Sequence, residues 1–314
     1  MAAANMIADA LTVPAPAKLN LFLHVTGRRA DGYHLLQTLF VFLDFGDTLT
    51  LQRTDDRVIR RVAHDYAEDV TEDADLSVRA ARLLQAESGT RRGASIRIVK
   101  RLPMGGGLGG GSSDAASVLL ALNRLWGLDL PRAQLAALGL RLGADVPVFI
   151  HGRSAWAEGV GEVLQPVDVA NFFALVVVPP LGVPTPSIFA DPELTRDTLA
   201  LKMASFPAGS SAARQKTFLA RQRNDLQPVA CRLAPAVAEH LAALDRASVG
   251  AWFAENGSGG ARMTGSGACV FAVFDTEAEA QAVQAKLPQE IKSFVARGLN
   301  RHPLHQIVEV PGAG

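Results

Sequence analysis

Apolar and polar residues alternate along several segments of this chain in the two-residue period of a β-strand. In residues 17–26 the leucines at 19, 21 and 23 form one face, whereas Lys18 and Asn20 both lie on the opposite face. Residues 38–43 and 48–52 flank a polar stretch, 44–47, which predicts a turn between two strands of a hairpin. Further strands are predicted at residues 94–100, 154–165 (short strands), 174–178, 268–274, 293–298 and 306–310.

Segments with the apolar spacing of helices separate these strands, so the chain is predicted to be α+β. The helix that follows residue 111 has Ser112, Ser113 or Asp114 as N-cap candidates and Gly127 as its stop. Pro147 is expected to prevent helix continuation and to keep Val146 extended, which places Asp145 at a helix end or in a tight loop. Further helices are predicted at residues 76–86, 131–142, 213–223, 235–244 and 277–287.

Residues 103–113, Pro-Met-Gly-Gly-Gly-Leu-Gly-Gly-Gly-Ser-Ser, place six glycines in seven positions between a predicted strand and a predicted helix. Glycine allows positive φ and close approach of a ligand to the main chain, and the first N–H groups of the helix point at the loop. The pattern favours a polyphosphate-binding loop, with a tight turn without ligand as the alternative. A dinucleotide-binding loop is excluded because Asp129 lies between helical segments and no strand precedes it. A P-loop is excluded because Gly111-Ser112 stands where its lysine is required.

The composition of the chain argues against a nucleic-acid-binding or membrane protein. The 314 residues include 31 Lys plus Arg and 31 Asp plus Glu, so no basic excess indicates a nucleic-acid partner. Apolar runs are too short to span a membrane, and residues 1–13 lack a secretory signal pattern, which predicts no membrane partner. Cys231 and Cys269 belong to no C-x-x-C or Cys/His cluster, which favours a reducing, cytoplasmic setting.

The length of the chain predicts two domains. We divide them as residues 1–172, which include the glycine loop, and residues 173–314. The Pro-rich stretch 179–186 lies just beyond this division and is typical of a junction. The glycine-rich residues 255–261 are predicted to form a mobile surface loop.

Five motifs, in order, resemble those of the GHMP kinases, a family of small-molecule kinases. They are Pro-Ala-Lys-Leu-Asn-Leu at 16–21, Arg-Ala-Asp-Gly-Tyr-His at 29–34, the glycine loop at 102–113, Gly-Ala-Asp-Val-Pro-Val-Phe at 143–149 and Arg-Met-Thr-Gly-Ser-Gly-Ala-Cys at 262–269. The resemblance implies the two-domain GHMP kinase fold. Its N-terminal domain is like the second domain of ribosomal protein S5, and its C-terminal domain is ferredoxin-like.

Within the family the chain resembles members that phosphorylate a hydroxyl of a cytidine diphosphate compound on a route to isoprenoid precursors. The resemblance implies ATP as phosphoryl donor, accompanied by Mg²⁺, and Lys18 and Asp145 as the catalytic pair. A carboxylate at Asp145 takes the proton of the acceptor hydroxyl, and Lys18 steadies that carboxylate and the acceptor oxygen. The implied ATP-binding residues are Pro103, Met104, Gly105, Gly106, Gly107, Leu108, Gly109, Gly110, Gly111, Ser112 and Ser113.

The substrate-binding residues implied by the resemblance are Asn20, Tyr33, His34, Thr185 and Phe189. Tyr33 and Phe189 are expected to sandwich the cytosine ring, and His34 to hydrogen-bond its polar edge. Asn20 and Thr185 help to hold the substrate. The ligand of Mg²⁺ is left open among Ser112, Ser113 and Asp145.

Taken one at a time, these residues also fit structural roles. Lys18 fits a solvated charge at a strand edge, Asp145 a helix cap, and Phe189 a core position. Two other functions stay open: a GHMP kinase with another acceptor, which has no use for a cytosine sandwich, and a non-catalytic nucleotide- or RNA-binding module. The balanced net charge argues against RNA.

Overall fold

The computed structural model describes residues 9–62, 70–254 and 260–307. The strands in these ranges are β1 (Ala10–Arg28), β2 (His34–Thr54), β3 (Ile59–Arg61), β4 (Gly93–Val99), β5 (Ala155–Glu158), β6 (Val163–Pro166), β7 (Phe173–Val177), β8 (Arg262–Met263), β9 (Val270–Phe274) and β10 (Ser293–Leu299). The α-helices are α1 (Leu76–Ser88), α2 (Gly110–Leu125), α3 (Arg132–Leu140), α4 (Val146–His151), α5 (Thr185–Ala190), α6 (Ala212–Ala220), α7 (Gln227–Leu233), α8 (Pro235–Ala247) and α9 (Glu277–Gln284). Short 3₁₀ helices cover Met203–Ser205 and Pro303–Gln306.

Strand β2 connects the parts of the sheet. One of its edges pairs antiparallel with β1 along most of its length. The other edge is shared by three strands: β5 pairs at Thr38 to Phe40, β10 at Phe42 and Leu43, and β4 at Thr48 to Thr54. Strand β10 then pairs with β7, β7 with β9, and β9 with β8. A single sheet therefore joins the early and late parts of the chain.

The hairpin predicted at residues 38–52 is wrong, because β2 continues through residues 44–47 without a turn. The polar residues of that stretch bond to neighbouring segments instead of closing a turn. Asp44 accepts a hydrogen bond from the Arg297 N–H at 2.7 Å, and Asp47 accepts from the N–H groups of Arg101 and Leu102. At Gly46 the backbone of β1 lies so near that a Cβ would stand 2.3 Å from the Ala15 carbonyl oxygen.

Helices α1 to α4 cover one face of the first part of the sheet. Asp75 caps α1 by accepting from the Ser77 N–H at 2.9 Å, and Gly89 ends it in the left-handed conformation. Helix α2 is buried on nearly all sides from Ser113 to Leu125. The sequence predicted burial of one apolar face only, so more of the helix is buried than expected. Apolar side chains of α2, such as Leu119 and Leu122, pack with β2 and β4 to form the core of this part.

The later part of the chain packs α7, α8 and α9 against β7, β9 and β10. Helix α9 begins with a capping box, in which Thr276 and Glu279 bond reciprocally. A second core cluster contains Leu19 and Leu21 of β1 together with Phe172, Ala174 and Phe271. Strand β1 therefore buries apolar side chains among residues from both predicted domains, and the division at residues 172 and 173 stays a prediction.

Most elements expected from the apolar spacing are confirmed, with ends that differ by a few residues. The strand predicted at residues 306–310 is wrong at Gln306 and Ile307, which end a 3₁₀ helix, and its remainder lies outside the described residues. Of the loop predicted at residues 255–261, only Gly260 and Ala261 are described. The pattern missed β3, β8, α4, α5 and α7, which are all seven residues long or shorter. Among the described residues, no helix has the length and apolar character needed to span a bilayer.

Candidate active site

The glycine loop ends at the N-terminus of α2. Gly109, with φ of 73°, is the N-cap residue, so the prediction that Ser112, Ser113 or Asp114 caps this helix is wrong. The tight left-handed turn that glycine permits starts the helix three residues earlier than a side-chain cap would. The N–H groups at the start of α2 have no partner within the helix and are available to an anion.

The segment 264–269 lies against the glycine loop. The Cys269 N–H donates to the Gly106 carbonyl at 3.1 Å. A Cβ at Gly107, where φ is 74°, would stand 2.2 Å from the Thr264 carbonyl oxygen, and a Cβ at Gly106 would stand 2.8 Å from Cys269 Sγ. These contacts leave no room for side chains at the two positions, and the 264–269 segment therefore packs directly against the backbone of the loop.

Lys18 lies beneath the loop in a group of polar side chains. Its Nζ is 3.2 Å from Asp145 Oδ2 and donates to Asn20 Oδ1 at 2.6 Å. Asn20 in turn donates through Nδ2 to Thr38 Oγ1 at 2.8 Å, and its N–H donates to Thr264 Oγ1 at 3.0 Å. Lys18 and Asn20 are nearly fully buried, so their bonds fix the direction of the ammonium.

Asp145 stands immediately before α4, at the edge of the cleft. Its side chain is one-third exposed, whereas that of Lys18 is 3% exposed. The expected extended Val146 is wrong, because α4 begins at Val146 and Pro147 lies in its first turn. Proline is tolerated there because the first N–H groups of a helix have no intrahelical acceptor. Of the two places predicted for Asp145, a helix end or a tight loop, the structure shows a helix end, but at the start of α4 and not at the stop expected from Pro147.

One cleft of about 760 Å³ contains the residues singled out in the sequence. The predicted catalytic pair and all five predicted substrate residues line it, and so do Gly107, Gly109 and Ser112 of the glycine loop. The other predicted loop residues do not line this cleft: Met104, for example, is exposed on the surface, whereas Ser113 is fully buried. Thr185 Oγ1 and Ser266 Oγ, at the N-terminus of α5 and in the 264–269 segment, are 2.6 Å apart across the cleft.

The aromatic residues of the cleft are arranged differently from the predicted sandwich. The rings of His34 and Phe189 stack on each other, with centroids 4.9 Å apart and planes 28° apart. Tyr33 is 64% exposed. Arg196, which the sequence analysis missed, donates to His34 Nε2 at 3.1 Å. Burial, Arg196 and Arg28 lower the pKa of His34, so its ring is neutral at neutral pH.

A second charged group lies beside the glycine loop, away from the cleft. Lys100, at the end of β4, bonds to Asp47 and to Asp114, with Asp114 Oδ2 at 2.8 Å. Burial raises the pKa of Asp114 to about 7 against the opposing effect of Lys100. From the sequence Asp114 was only a cap candidate, and its pairing depends on contacts with distant segments.

Other residues of the site were missed as well. Thr264 was seen only as part of a glycine motif, and Thr38 only as the start of a strand. Arg262 bonds to the Leu21, Leu219 and Gln222 carbonyls beneath the site, and burial lowers its pKa to about 9. The glycines that follow Thr264, at positions 265 and 267, were the only feature of the sequence that could have indicated its place near the site.

The side chains of the site do not form a dedicated metal cage. In the ranges that the structure describes, no group of three or more His, Cys, Asp or Glu side chains could hold a metal ion. Ser112 and Asp145 do offer oxygen atoms to the same cleft, which suits a hard cation that keeps most of its ligands from elsewhere.

Sequence comparisons relate this chain to known kinases. Residues 75–153 match the family described as the GHMP kinases N terminal domain, and residues 216–293 match the GHMP kinases C terminal family. A 4-diphosphocytidyl-2-C-methyl-D-erythritol kinase of Thiobacillus denitrificans is 55% identical over 94% of this chain and 98% of its own length. The kinase of the same name from Ralstonia pickettii is 54% identical over 93% of this chain and 94% of its own length.

Comparison with solved structures gives the same relationship. The crystal structure of a 4-(cytidine 5'-diphospho)-2C-methyl-D-erythritol kinase matches with a TM-score of 0.71 and 33% identity, over 92% of this chain and 99% of that one. A homoserine kinase from Cytophaga hutchinsonii matches with a TM-score of 0.70 and 18% identity, over 96% of this chain and 98% of that one. At that identity the second match supports the fold alone.

Proposed function

This chain belongs to the GHMP kinase family and, within it, to the 4-diphosphocytidyl-2-C-methyl-D-erythritol kinases, and from that premise we propose the reaction that its cleft performs. The proposed reaction transfers the γ-phosphoryl group of ATP to the 2-hydroxyl of 4-diphosphocytidyl-2-C-methyl-D-erythritol. It serves the non-mevalonate route to isoprenoid precursors. The observation that carries the proposal is the contact of 3.2 Å between Lys18 Nζ and Asp145 Oδ2, in the cleft that the glycine loop borders.

In the proposed mechanism, Asp145 is the base. Its partly exposed carboxylate accepts the proton of the 2-hydroxyl while that oxygen bonds to the γ-phosphorus. The bond from the γ-phosphorus to the β,γ-bridging oxygen breaks, and ADP leaves. Lys18, fixed by Asn20 and Asp145, holds the carboxylate and stabilises negative charge on the acceptor oxygen.

The glycine loop, residues 103–113, is proposed to bind the triphosphate. The contacts of Gly106 and Gly107 with the 264–269 segment support this role, because they hold main-chain N–H groups in place before a ligand arrives. The N-terminus of α2 adds its partial positive charge. Positioning and electrostatic stabilisation supply most of the catalysis in phosphoryl transfer, and a rigid loop suits both.

A Mg²⁺ ion bound with the nucleotide would supply positive charge against the phosphate oxygens. Ser112 is the side chain that would complete its coordination, since it lines the cleft while the Asp145 carboxylate serves Lys18 and the acceptor hydroxyl. Ser113 is less suited, because its hydroxyl is buried in the first turn of α2.

The cytidine end of the substrate is proposed to occupy the part of the cleft lined by Tyr33, His34, Thr185 and Phe189. The exposed Tyr33 ring is free to cover one face of the base, and the stacked pair of His34 and Phe189 offers both a ring nitrogen and an aromatic surface. Asn20 lines the same cleft, bonded to Lys18, and is proposed to help hold the methylerythritol part. A cytoplasmic location completes the proposal and suits the two free cysteines.

The variant Asp145→Asn tests the assignment of the base. We expect kcat to fall by about 10²- to 10⁴-fold, because the amide accepts no proton, while the Kd for an ATP analogue changes little. The measurement is ADP release with the cytidine substrate, with homoserine and mevalonate as control acceptors. Asp31→Asn is the matched control, because Asp31 lines the same cleft but pairs with Arg29.

Wild-type kcat in the Asp145→Asn variant would contradict the base assignment. Turnover of homoserine or mevalonate in place of the cytidine substrate would contradict the proposed acceptor. A loss in Asp31→Asn equal to that in Asp145→Asn would show that any carboxylate of the cleft matters in the same way, which the mechanism does not allow.

A further inference from the structure

Arg196 lies in the segment after α5 and holds the cytidine end of the cleft together. Its Nε donates to His34 Nε2 at 3.1 Å, and its Nη1 donates to the Leu194 carbonyl at 3.0 Å. Its Nη2 donates to the carbonyls of Phe189 at 3.0 Å and Asp191 at 2.6 Å. The guanidinium is thus fixed in one orientation, and one of its N–H groups is directed at the imidazole.

This contact determines where the imidazole of His34 carries its proton. A guanidinium has donors and no acceptor, so the ring nitrogen it contacts must present a lone pair. Nε2 of His34 is therefore unprotonated, and in the neutral ring the proton must be on Nδ1. Burial lowers the pKa of His34, and the charges of Arg196 and Arg28, which disfavour the imidazolium, lower that pKa further. The result is a single neutral tautomer with Nδ1–H as its donor.

We propose that Arg196 is a positioning residue that holds His34 in this tautomer so that the cleft selects cytosine over uracil. The inference rests on the proposed function. N3 of cytosine is an acceptor and pairs with Nδ1–H, whereas N3 of uracil carries a hydrogen and opposes it. With uracil bound, the Nδ1–H of His34 would therefore have no acceptor, and leaving such a donor unpaired weakens binding of the wrong base strongly.

Arg196 also stabilises the turn 189–194 by bonding three of its carbonyl groups, so a loss of activity alone would not separate the two roles. Arg232 provides the matched control, since it binds the same turn through Asp191 and Glu193 without touching His34. A variant at Arg232 loosens the turn and leaves the tautomer of His34 unchanged.

The tautomer is measured in the ligand-free protein by long-range ¹H–¹⁵N correlation of the imidazole rings. The chain has seven histidines, and the signal of His34 is identified by its loss in His34→Asn. We expect a protonated Nδ1 in the wild type and in Arg232→Met, and loss of that tautomer in Arg196→Met. A wild-type ring protonated on Nε2 would overturn the proposal, whether or not Arg196→Met folds. Because no substrate is present, failure here is distinct from failure of the proposed function.

Base selection is measured as the ratio of kcat/KM for the cytidine substrate to that for its uridine counterpart. We expect Arg196→Met to reduce this ratio by about 10-fold or more, mainly through KM of the cytidine substrate, and Arg232→Met to leave it unchanged. In the His34→Asn background, whose amide nitrogen donates regardless of Arg196, adding Arg196→Met should no longer change the ratio. An unchanged ratio in Arg196→Met would overturn the proposal and indicate that the main chain of His34 reads the base.

Discussion

Lys18 and Arg262 are both buried cations close to the cleft, but their surroundings differ. Lys18 pairs with the Asp145 carboxylate, whose side chain is one-third exposed. Arg262 has no carboxylate partner among its described bonds. It donates to three backbone carbonyls and stacks on Phe253, with its Cζ 4.1 Å from the ring centroid. The first arrangement suits catalysis, and the second suits the joining of β1 to the segments around α6.

This contrast predicts opposite outcomes for the same kind of substitution. Lys18→Met should leave the free energy of unfolding within about 1 kcal/mol of wild type, because an apolar side chain avoids the cost of burying a charge. Its kcat should fall below detection, since the acceptor oxygen and Asp145 lose their ammonium. The free energy is measured by urea denaturation and kcat by ADP release.

Arg262→Met is the comparison. It leaves the carbonyls of Leu21, Leu219 and Gln222 without their donor, which should lower the free energy of unfolding by about 3 kcal/mol or more. If Lys18→Met destabilised the protein as much as Arg262→Met does, Lys18 would be needed for the fold and the contrast would be wrong.

Some residues of the site could be predicted from the sequence and others could not, for a physical reason. Lys18 and Asn20 stood out because a strand alternates, so two polar residues in register must share a face. Thr264 bonds to Asn20 from 244 residues away, and Arg196 bonds to His34 from 162 residues away. Such contacts depend on how β1 and β2 meet the later segments. The local sequence pattern carries no information about contacts between distant segments, so Thr264 and Arg196 could not be predicted as partners of Asn20 and His34.

At the scale of elements, short or unusual segments escaped the apolar pattern. Helix α4 has six residues, too few for a helical period to be visible, and its proline indicated a stop when it actually marks the first turn. The turn expected at residues 44–47 does not form, because Asp44 and Asp47 bond to N–H groups of other segments. The same aspartates are common in turns, so the sequence did not distinguish the two cases. Long elements such as α1 and α2 were predictable because the helical spacing of their apolar residues extends over several turns.

Helix α4, which Asp145 directly precedes, packs against two histidines near the end of the described chain: His302, which precedes the 3₁₀ helix, and His305 within it. His302 is fully buried, and its Nδ1 accepts from the Leu304 N–H at 3.1 Å. His305 lies against the end of α4, where a Cβ at Gly152 would stand 2.0 Å from its Nε2. Burial lowers the pKa of both rings, to about 4 for His305, with Arg132 and His151 adding to the effect on His305.

Lowered histidine pKa values predict a loss of stability in acid. At a pH below 6.5, the pKa of histidine in the unfolded chain, the unfolded chain binds protons that the folded protein does not. The free energy of unfolding therefore decreases as the pH is lowered. His305 alone should account for about 2 kcal/mol between about pH 6.5 and about pH 4.5. Urea denaturation across this range measures the slope.

The variant His305→Gln should flatten that slope, because glutamine does not titrate. Protonated His302 would also lose its bond from the Leu304 N–H, so the double variant His302→Gln, His305→Gln should be flatter still. A slope that is identical in the wild type and the double variant would assign acid sensitivity to other groups.

At the scale of the whole molecule, strand pairing crosses the predicted domain division. Strand β2 pairs with β10 through Leu43 and Phe42, and the core cluster of Leu19 and Leu21 includes Phe271 from β9. The cleft is assembled in the same way, since Thr185 and Gly265 line it together with Lys18 and Asp145. One core cluster and the cleft therefore draw their residues from both halves of the chain.

Two domains of a chain this long commonly unfold in separate steps. The shared sheet and core predict instead that this protein unfolds in one transition, with a calorimetric enthalpy equal to the van't Hoff enthalpy. An ATP analogue, which binds only the folded form, should raise the temperature of that entire transition. Two transitions, of which the analogue shifts only one, would show that the halves fold independently and that the nucleotide site belongs to one of them. The control is CMP, which should also raise the single transition, because the cytidine end of the cleft depends on residues from both halves.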